Sequence, residues 1–321
     1  MKVLVTGAHG FIGTEVCRVL AGQGMSVRAL VRTEVGNDQD GIEYRIATLG
    51  QDRLDPEIFV DVDCVVHLAG RAHVLNDQLD DPLAAFRMHN RDATVALAEQ
   101  ALACGVRRFV FMSSIGVNGA ETFGMPFTES TQPQPHADYA LSKYEAELLL
   151  QERLTGSGME LVIIRPPMVY GLNAPGNFGR LLKLVSSRIP LPFGAVKNQR
   201  SLISRHNLAL FTALCVSHPS AAGEVFLICD GTQVSTGEIV QALAAGMRGN
   251  SILVPVPPFL MRACATVLRK KAIYTQLCGS LVIDASKARR LLGWTPSSTT
   301  SACLAEVGAQ YARQKVCAPE A

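Results

Sequence analysis

Lys2-Val3-Leu4-Val5-Thr6-Gly7-Ala8-His9-Gly10-Phe11-Ile12-Gly13 sets a short β-rich run directly before three glycines at three-residue intervals, and a helical pattern through Val16, Val19 and Leu20 follows. Strand, glycine turn and helix opening in that order are the context in which a helix N-terminus receives a pyrophosphate. Loops also carry glycine for turn geometry alone, and the spacing is G-x-x-G-x-x-G rather than G-x-G-x-x-G. Placement between strand and helix favours a dinucleotide cofactor, with Gly7, Gly10, Phe11, Ile12 and Gly13 around it. The expected fold is α/β, a doubly wound parallel sheet of the Rossmann type with a smaller C-terminal α/β lobe.

Working outward, the second strand is Ser26 to Arg32. In a dinucleotide fold its end carries an acid for the ribose hydroxyls of NAD or leaves an arginine for the 2′-phosphate of NADP. Here Val31 stands where the acid would and Arg32 follows, which favours NADP(H), with NAD(H) as the alternative. A third strand near Glu43 to Ile46 ends in Ala47-Thr48-Leu49-Gly50, without an acid to hold adenine. Asp63 to Gly70 reads as a buried parallel strand that stops at small residues, so Leu68, Ala69 and Gly70 let a cofactor approach. His67 within it is read as a satisfied core histidine. A helix from about Ala84 to Cys104 carries Asn90 on a polar face toward the nicotinamide side.

Arg107 to Ser114 is the next strand and delivers the hydroxyls of Ser113 and Ser114 to its carboxyl end, the edge where open α/β sheets bind ligands. Beyond a loop holding Pro126, Pro133 and Pro135 comes Tyr139-Ala140-Leu141-Ser142-Lys143. Residues four apart share a helix face, and a cation beside a phenol favours its ionised form, so the pair is a candidate proton-transfer device. Alone, such spacing also fits an ordinary couple on an amphipathic helix.

The chain has 321 residues, 48% hydrophobic and 18% charged, enough for a nucleotide-binding unit and a smaller second unit. A formal net charge of +2 with dispersed Lys and Arg excludes the basic field of a nucleic-acid binder. The start carries no charged, apolar leader and no apolar run approaches a membrane span, so a cytoplasmic protein is expected. Nine cysteines, among them Cys17, Cys64, Cys104, Cys229 and Cys278, form no C-x-x-C or Cys/His cluster; buried free thiols are expected, with no metal site. Residues 252–267 are unusually apolar yet short and broken by Pro255, Pro257 and Pro258, and read as second-lobe core or a partner surface rather than a membrane foot.

Gly7-x-x-Gly10-x-x-Gly13, His67-Leu68-Ala69-Gly70, Ser113-Ser114, Tyr139-x-x-x-Lys143 and Arg165-Pro166, in this order and spacing, resemble the extended short-chain dehydrogenase/reductase family of nucleotide-sugar epimerases, dehydratases and reductases. The likeness runs to about Pro296. It implies that Ser114 holds the substrate oxygen, Tyr139 is the acid/base, and Lys143 lowers the tyrosine pKa and binds the nicotinamide ribose, with Pro166 also at the cofactor. It further implies that Asn177 and Arg200 contact the diphosphate of a UDP-linked sugar, and that the protein is a homodimer. Another phosphate-binding arginine of the family is not matched in Ala272-Ile273-Tyr274-Thr275-Gln276. The implied division is 1–171 for the NADP-binding domain, with about 201–230 returning to it, and 172–200 with 231–321 for the substrate lobe.

Sugar 4,6-dehydratases of the family place an Asp-Glu pair after the active Ser/Thr; here Ile115 and Gly116 stand there, so a dehydratase is not expected. Val31-Arg32 speaks against the tightly held NAD of a 4-epimerase and for NADPH. Asn118 in Val117-Asn118-Gly119 replaces an aromatic often found near the sugar. With Arg71-Ala72-His73, Asn177-Phe178 and Gly279-Ser280-Leu281-Val282, the chain resembles the bacterial branch that reduces UDP-4-keto-6-deoxy-N-acetylhexosamines to N-acetylquinovosamine or N-acetylfucosamine nucleotides for O-antigen. The expectation is therefore an NADPH-dependent 4-ketoreductase, with a UDP-hexose 4-epimerase as the alternative. A non-catalytic NADP sensor fits less well, because Ser114, Tyr139 and Lys143 are all retained.

Overall fold

The computed structural model describes residues 1–33, 41–50, 53–72 and 80–317; His73 lies outside them. The described strands are β1 (Lys2–Thr6), β2 (Ser26–Val31), β3 (Ile42–Ile46), β4 (Cys64–His67), β5 (Arg108–Met112), β6 (Glu160–Arg165), β7 (Met168–Tyr170), β8 (Leu202–Ser204) and β9 (Val225–Leu227). Seven of them form one parallel sheet in the order β3-β2-β1-β4-β5-β6-β9, and β7 pairs with β8. β1 lies between β2 and β4, with Val3 opposite Val27 on one side and Cys64 on the other. The chain winds outward in both directions from β1 and β4, and a crevice opens there at their carboxyl ends. Apart from Lys2, β1, β4 and β5 are buried on both faces, which is why they read as near-continuous apolar runs rather than alternating ones.

Helices cover both faces. On one side α1 (Gly13–Gly22) packs Val16 and Leu20 onto Val3, Val5 and Val66. On the other, Leu4, Val65 and Phe109 meet Leu97 and Leu150. The expected helix over 84–104 is instead α2 (Pro82–Arg87), a π turn at Met88–Asp92, and α3 (Ala93–Ala103). α2 starts at Asp81, whose carboxylate accepts from Ala84 N at 2.9 Å, with Pro82 at the first helical position. The wider turn carries Asn90, which is fully buried.

α4 (Asp138–Leu154) delivers Tyr139 and Lys143. α5 (Gly176–Ser186) and α6 (Arg205–Ser217) follow, and α7 (Thr236–Gly246) opens on a capping box in which Ser235 Oγ accepts from Glu238 N and Glu238 Oε2 accepts from Ser235 N. Next come α8 (Pro258–Val267), α9 (Lys271–Cys278), α10 (Ser286–Leu292) and α11 (Thr300–Cys317). Tyr170, Phe178, Leu182, Leu243 and Leu304 form the second lobe's core. Asp230 ties it to the sheet: its carboxylate accepts from Tyr170 OH at 2.6 Å, Ser204 N at 2.9 Å and Asn207 Nδ2 at 2.7 Å.

Three expectations change. Ala288, Leu292 and Trp294, assigned by sequence to the second lobe, pack into the main-sheet core instead, with Trp294 edge-on to Phe211 at 5.3 Å. In the 252–267 stretch Leu253 and Met261 pack, partly buried, against the second-lobe core, but no α8 residue is fully buried and Phe259 is 69% and Val267 82% exposed, which leaves the surface reading for most of it. Cys17, Cys64, Cys215 and Cys229 are buried thiols, but Cys104 is exposed because it closes α3 at the surface. No helix among the described residues is long and apolar enough to cross a membrane, and no group of His, Cys, Asp and Glu there could hold a metal ion.

Candidate active site

The turn between β1 and α1 is held by close backbone contact. Gly7 has φ +67°, and a Cβ there would stand 2.8 Å from Ala69 N; a Cβ at Gly13 would stand 2.1 Å from Gly7 O. Both positions therefore require glycine for the folding of the turn itself. No side chain caps α1, whose N-cap is Ile12; Thr14 N donates to Gly10 O at 3.1 Å, and the positive end of the helix dipole is directed at the crevice. The Phe11 ring packs against Gly171 and under the Arg205 guanidinium, 5.2 Å from its centroid, which leaves the backbone of Phe11 for the crevice. Arg32 is exposed just beyond β2.

A hydrogen-bonded chain runs from β1 to α4. Thr6 Oγ1 lies 2.7 Å from His67 Nδ1, and His67 Nε2 lies 2.9 Å from Thr94 Oγ1, which donates to Asn90 O at 2.7 Å. Since the Thr94 proton is committed, His67 Nε2 carries the hydrogen and Nδ1 accepts from Thr6. Burial pushes His67 down to about 3, so it is neutral and serves the core, as its sequence context suggests.

Asn90 continues the chain. Its Oδ1 accepts from Arg71 N at 2.7 Å, and its Nδ2 donates to Arg71 O at 3.1 Å and Ser142 Oγ at 3.1 Å. Ser142 Oγ donates in turn to Tyr139 O at 2.8 Å. With both amide protons engaged, Asn90 holds the turn after β4 against α4 rather than offering a donor to a nicotinamide. A Cβ at Gly70 would meet Asn90 Oδ1 at 3.0 Å and Lys143 Nζ at 3.4 Å, so Gly70 lets the loop close over both.

Ser113 and Ser114 follow β5, Lys143 reaches the last carbonyl of that strand, and Tyr139 lies one turn before Lys143 on α4. Lys143 Nζ donates to Met112 O at 3.0 Å and lies 4.6 Å from the Phe111 ring centroid. Ser114 caps a short 3₁₀ turn, its Oγ accepting from Gly116 N at 3.1 Å. Gly116 separates Ser114 from α4: a Cβ there would lie 3.2 Å from Ala140 Cβ and 3.4 Å from Ser114 Oγ. The Tyr139 ring is half-buried and packs edge-on to Phe86 at 6.2 Å. Ser113 Oγ is buried with no hydrogen-bond partner among the described residues. An uncapped helix start beside a glycine turn, and an orphaned hydroxyl at the end of β5, fit a phosphate-bearing cofactor in the crevice.

Desolvation governs the titration of the pair. It raises the Tyr139 phenol to about 12 and lowers the Lys143 ammonium to about 8, the latter opposed by Glu147 one turn on. The expected lowering of the phenol by Lys143 is not expressed in this arrangement, where the ammonium is engaged by Met112 O. Glu147 itself accepts from Arg165 Nε at 2.9 Å, and Arg165 Nη1 donates to Asn118 Oδ1 at 3.0 Å. Asn118 thus faces the buried ion pair rather than a sugar.

A pH test follows. The folded pKa of Lys143 lies below its ordinary value of 10.5, so between pH 8 and 10 the unfolded chain binds the extra proton and stability rises with pH. The parent should gain about 2 kcal/mol relative to Lys143→Met across that window, measured by urea unfolding. The buried thiols, common to both chains, cancel in the difference. An unchanged difference would show that Lys143 is not desolvated.

In the second lobe, Asn177 Nδ2 donates to Gln276 Oε1, joining α5 to α9. Asn177 is not a helix cap, because Pro175 holds that position. Arg200 Nη1 donates to Gly279 O at 3.0 Å, while its Nε is buried with no partner among the described residues. Burial lowers its pKa, with Glu121 opposing. The sequence reading missed Thr6, Thr94, Ser142 and Glu147; of these only Glu147 was signalled, by its i,i+4 spacing from Lys143. A cavity of about 250 Å³ lined by Leu49, Arg53, Met88 and Asp92 lies beside the π turn and is lined by none of Ser114, Tyr139 or Lys143.

Residues 3–229 match the family described as the NAD dependent epimerase/dehydratase family. A Vibrio cholerae protein named UDP-glucose 4-epimerase is 40% identical over 301 residues, covering 93% of this chain and 92% of that one. Among solved structures, a Bacillus cereus UDP-glucuronic acid 4-epimerase in complex with UDP-glucuronic acid and NAD aligns with TM-score 0.78 at 23% identity, over 98% of this chain and 100% of that one. A Thermotoga maritima UDP-glucose 4-epimerase with UDP-glucose aligns with TM-score 0.77 at 21% identity, over 98% and 100%.

Proposed function

Because the chain belongs to the NAD dependent epimerase/dehydratase family, we propose that it is a UDP-hexose 4-epimerase working through Ser114, Tyr139 and Lys143. The observation that carries this reading is the placement at the end of β5 of Ser114, just beyond the strand, and of Lys143 Nζ on Met112 O, with Tyr139 one turn before Lys143 on α4. The name of the Vibrio cholerae relative, similar along nearly its whole length, supports the substrate class. It moves the balance away from the ketoreductase that the sequence alone favours.

The cofactor would be held by the Phe11 to Gly13 backbone, the β4 end at Leu68 to Gly70, the Ser113 hydroxyl, Lys143 and the turn at Pro166. When bound, a nicotinamide dinucleotide takes up and returns the hydride at C4. Tyr139 takes the proton from the C4 oxygen as the hydride leaves and restores it when the hydride returns. Burial holds the phenol protonated in the unliganded chain, so taking the C4 hydroxyl proton requires a nearby cation to bring it to phenolate, after which it returns that proton to the ketone oxygen. Ser114 orients that oxygen, and Lys143 supplies the nearby cation that favours phenolate when proton transfer occurs. Arg200, whose buried Nε has no partner among the described residues, is the donor proposed for the sugar diphosphate, with Asn177 proposed beside it.

Purified protein mixed with UDP-glucose, and separately with UDP-N-acetylglucosamine, should give a mixture of C4 epimers by NMR without added dinucleotide. A second reading rests on Arg32, exposed at the β2 end with no acid before it: NADPH-dependent reduction of a UDP-4-keto-6-deoxy-N-acetylhexosamine. Absence of epimerisation together with stoichiometric NADPH oxidation on the 4-keto sugar would establish that reading instead. Under either one, Arg32→Asp should shift cofactor preference toward NAD by about tenfold, read as the ratio of NAD to NADP dissociation constants. An unchanged ratio would show that Arg32 does not meet the adenosine ribose.

A further inference from the structure

α8 is amphipathic in the wrong sense for a helix facing water. Phe259, Leu260, Ala263, Cys264 and Val267 recur at i, i+1, i+4, i+5 and i+8 along one outward face, and all are exposed. Met261 and Ala265 face inward, with Met261 packed against the second-lobe core. At the turn into α9, Leu268 is 67% exposed, and Arg269, Lys270 and Lys271 follow it in solvent. From Ile239 to Ile283 the sequence holds no Asp or Glu, so nothing in that span neutralises these cations or Arg262.

We propose that the α8–α9 hairpin docks this protein on the surface of an anionic phospholipid bilayer. Phe259, Leu260, Val267 and Leu268 enter the boundary between headgroups and acyl chains, and Arg262, Arg269, Lys270 and Lys271 meet the lipid phosphates. Apolar and cationic residues together on a short surface element are what such a boundary selects, because basic side chains reach headgroups while their stems stay apolar. The hairpin lies on the bilayer rather than across it, consistent with no described helix being long and apolar enough to span. Charge selects lipid over a second copy: a twofold contact through this face would bring together two sets of Arg262, Arg269, Lys270 and Lys271 with no Asp or Glu of residues 239–283 to offset them. The inference is independent of the reaction proposed above.

The test is co-sedimentation of the full chain with vesicles of phosphatidylglycerol and phosphatidylcholine, against phosphatidylcholine alone. Binding to the anionic vesicles should be at least about tenfold tighter and weaken with salt. Val267→Asp/Leu268→Asp should abolish it, and Lys270→Ala/Lys271→Ala should weaken it several-fold. Both variants should keep the parent's circular dichroism and melting temperature, because the altered side chains are already in solvent. Equal partition of the parent onto both vesicle types, or undiminished binding by the Asp variant, would overturn the proposal. So would a parent dimer that the Asp variant converts to monomer while neither chain binds vesicles.

Discussion

Tyr139→Phe should lower turnover by at least about 100-fold while leaving nucleotide-sugar affinity within a few-fold of the parent. The substitution removes one hydroxyl and keeps the ring, so the edge-on contact with Phe86 and the start of α4 are retained. What is lost is a proton partner for the C4 oxygen, required whichever way the hydride moves. The Tyr139 backbone is held independently by Ser142, which donates to its carbonyl. Steady-state kinetics set beside calorimetric binding of the sugar nucleotide separates the two effects. A variant with turnover within a few-fold of the parent would mean that another group moves the proton and that Tyr139 only packs.

Glu147→Ala should destabilise the fold by about 3–5 kcal/mol, because it leaves a buried guanidinium without its counter-charge. The Glu147 side chain is 2% exposed and that of Arg165 7%, and Arg165 Nε and Nη2 both donate to the carboxylate. Asn118 Oδ1 is the remaining partner of Arg165 Nη1 and cannot replace the charge. Glu147→Gln retains the shape and one acceptor, so its loss should be smaller. The carboxylate also opposes the lowering of the Lys143 pKa, so its removal should make the ammonium less basic still. Urea unfolding measures the first effect, and the pH at which Lys143 titrates in an NMR experiment measures the second. A midpoint unchanged in Glu147→Ala would show that the Arg165 charge reaches water.

The glycine turn, the buried strands and the order of motifs were legible because each depends on local rules. Val3, Val5, Val65 and Val66 need no partner beyond neighbouring strands to read as buried, and glycine at 7 and 13 answers contacts made within the β1–α1 turn or against the adjoining end of β4. The Ser235–Glu238 capping box obeys the same kind of rule, since it closes within four residues. The π turn at Met88–Asp92 was not, because nothing in the pattern from 84 to 104 marks an extra residue in one turn. That turn is what brings Asn90 to Arg71 and Ser142, contacts spanning 19 and 52 residues of sequence. The sequence left α8 between core and partner surface, because composition reports that residues are apolar without reporting whether anything covers them.

By itself the sequence determined the parallel doubly wound class and identified Ser114, Tyr139 and Lys143 as candidates through strand ends and helix spacing. Tertiary structure alone decided how those groups are poised. Burial raises the phenol and lowers the ammonium, Met112 O engages Lys143, and the partners of Asn90, Asn118 and Trp294 differ from those their neighbours in sequence suggested. Spacing along one chain encodes which side chains share a face, whereas desolvation and hydrogen-bond partners depend on atoms contributed by distant segments.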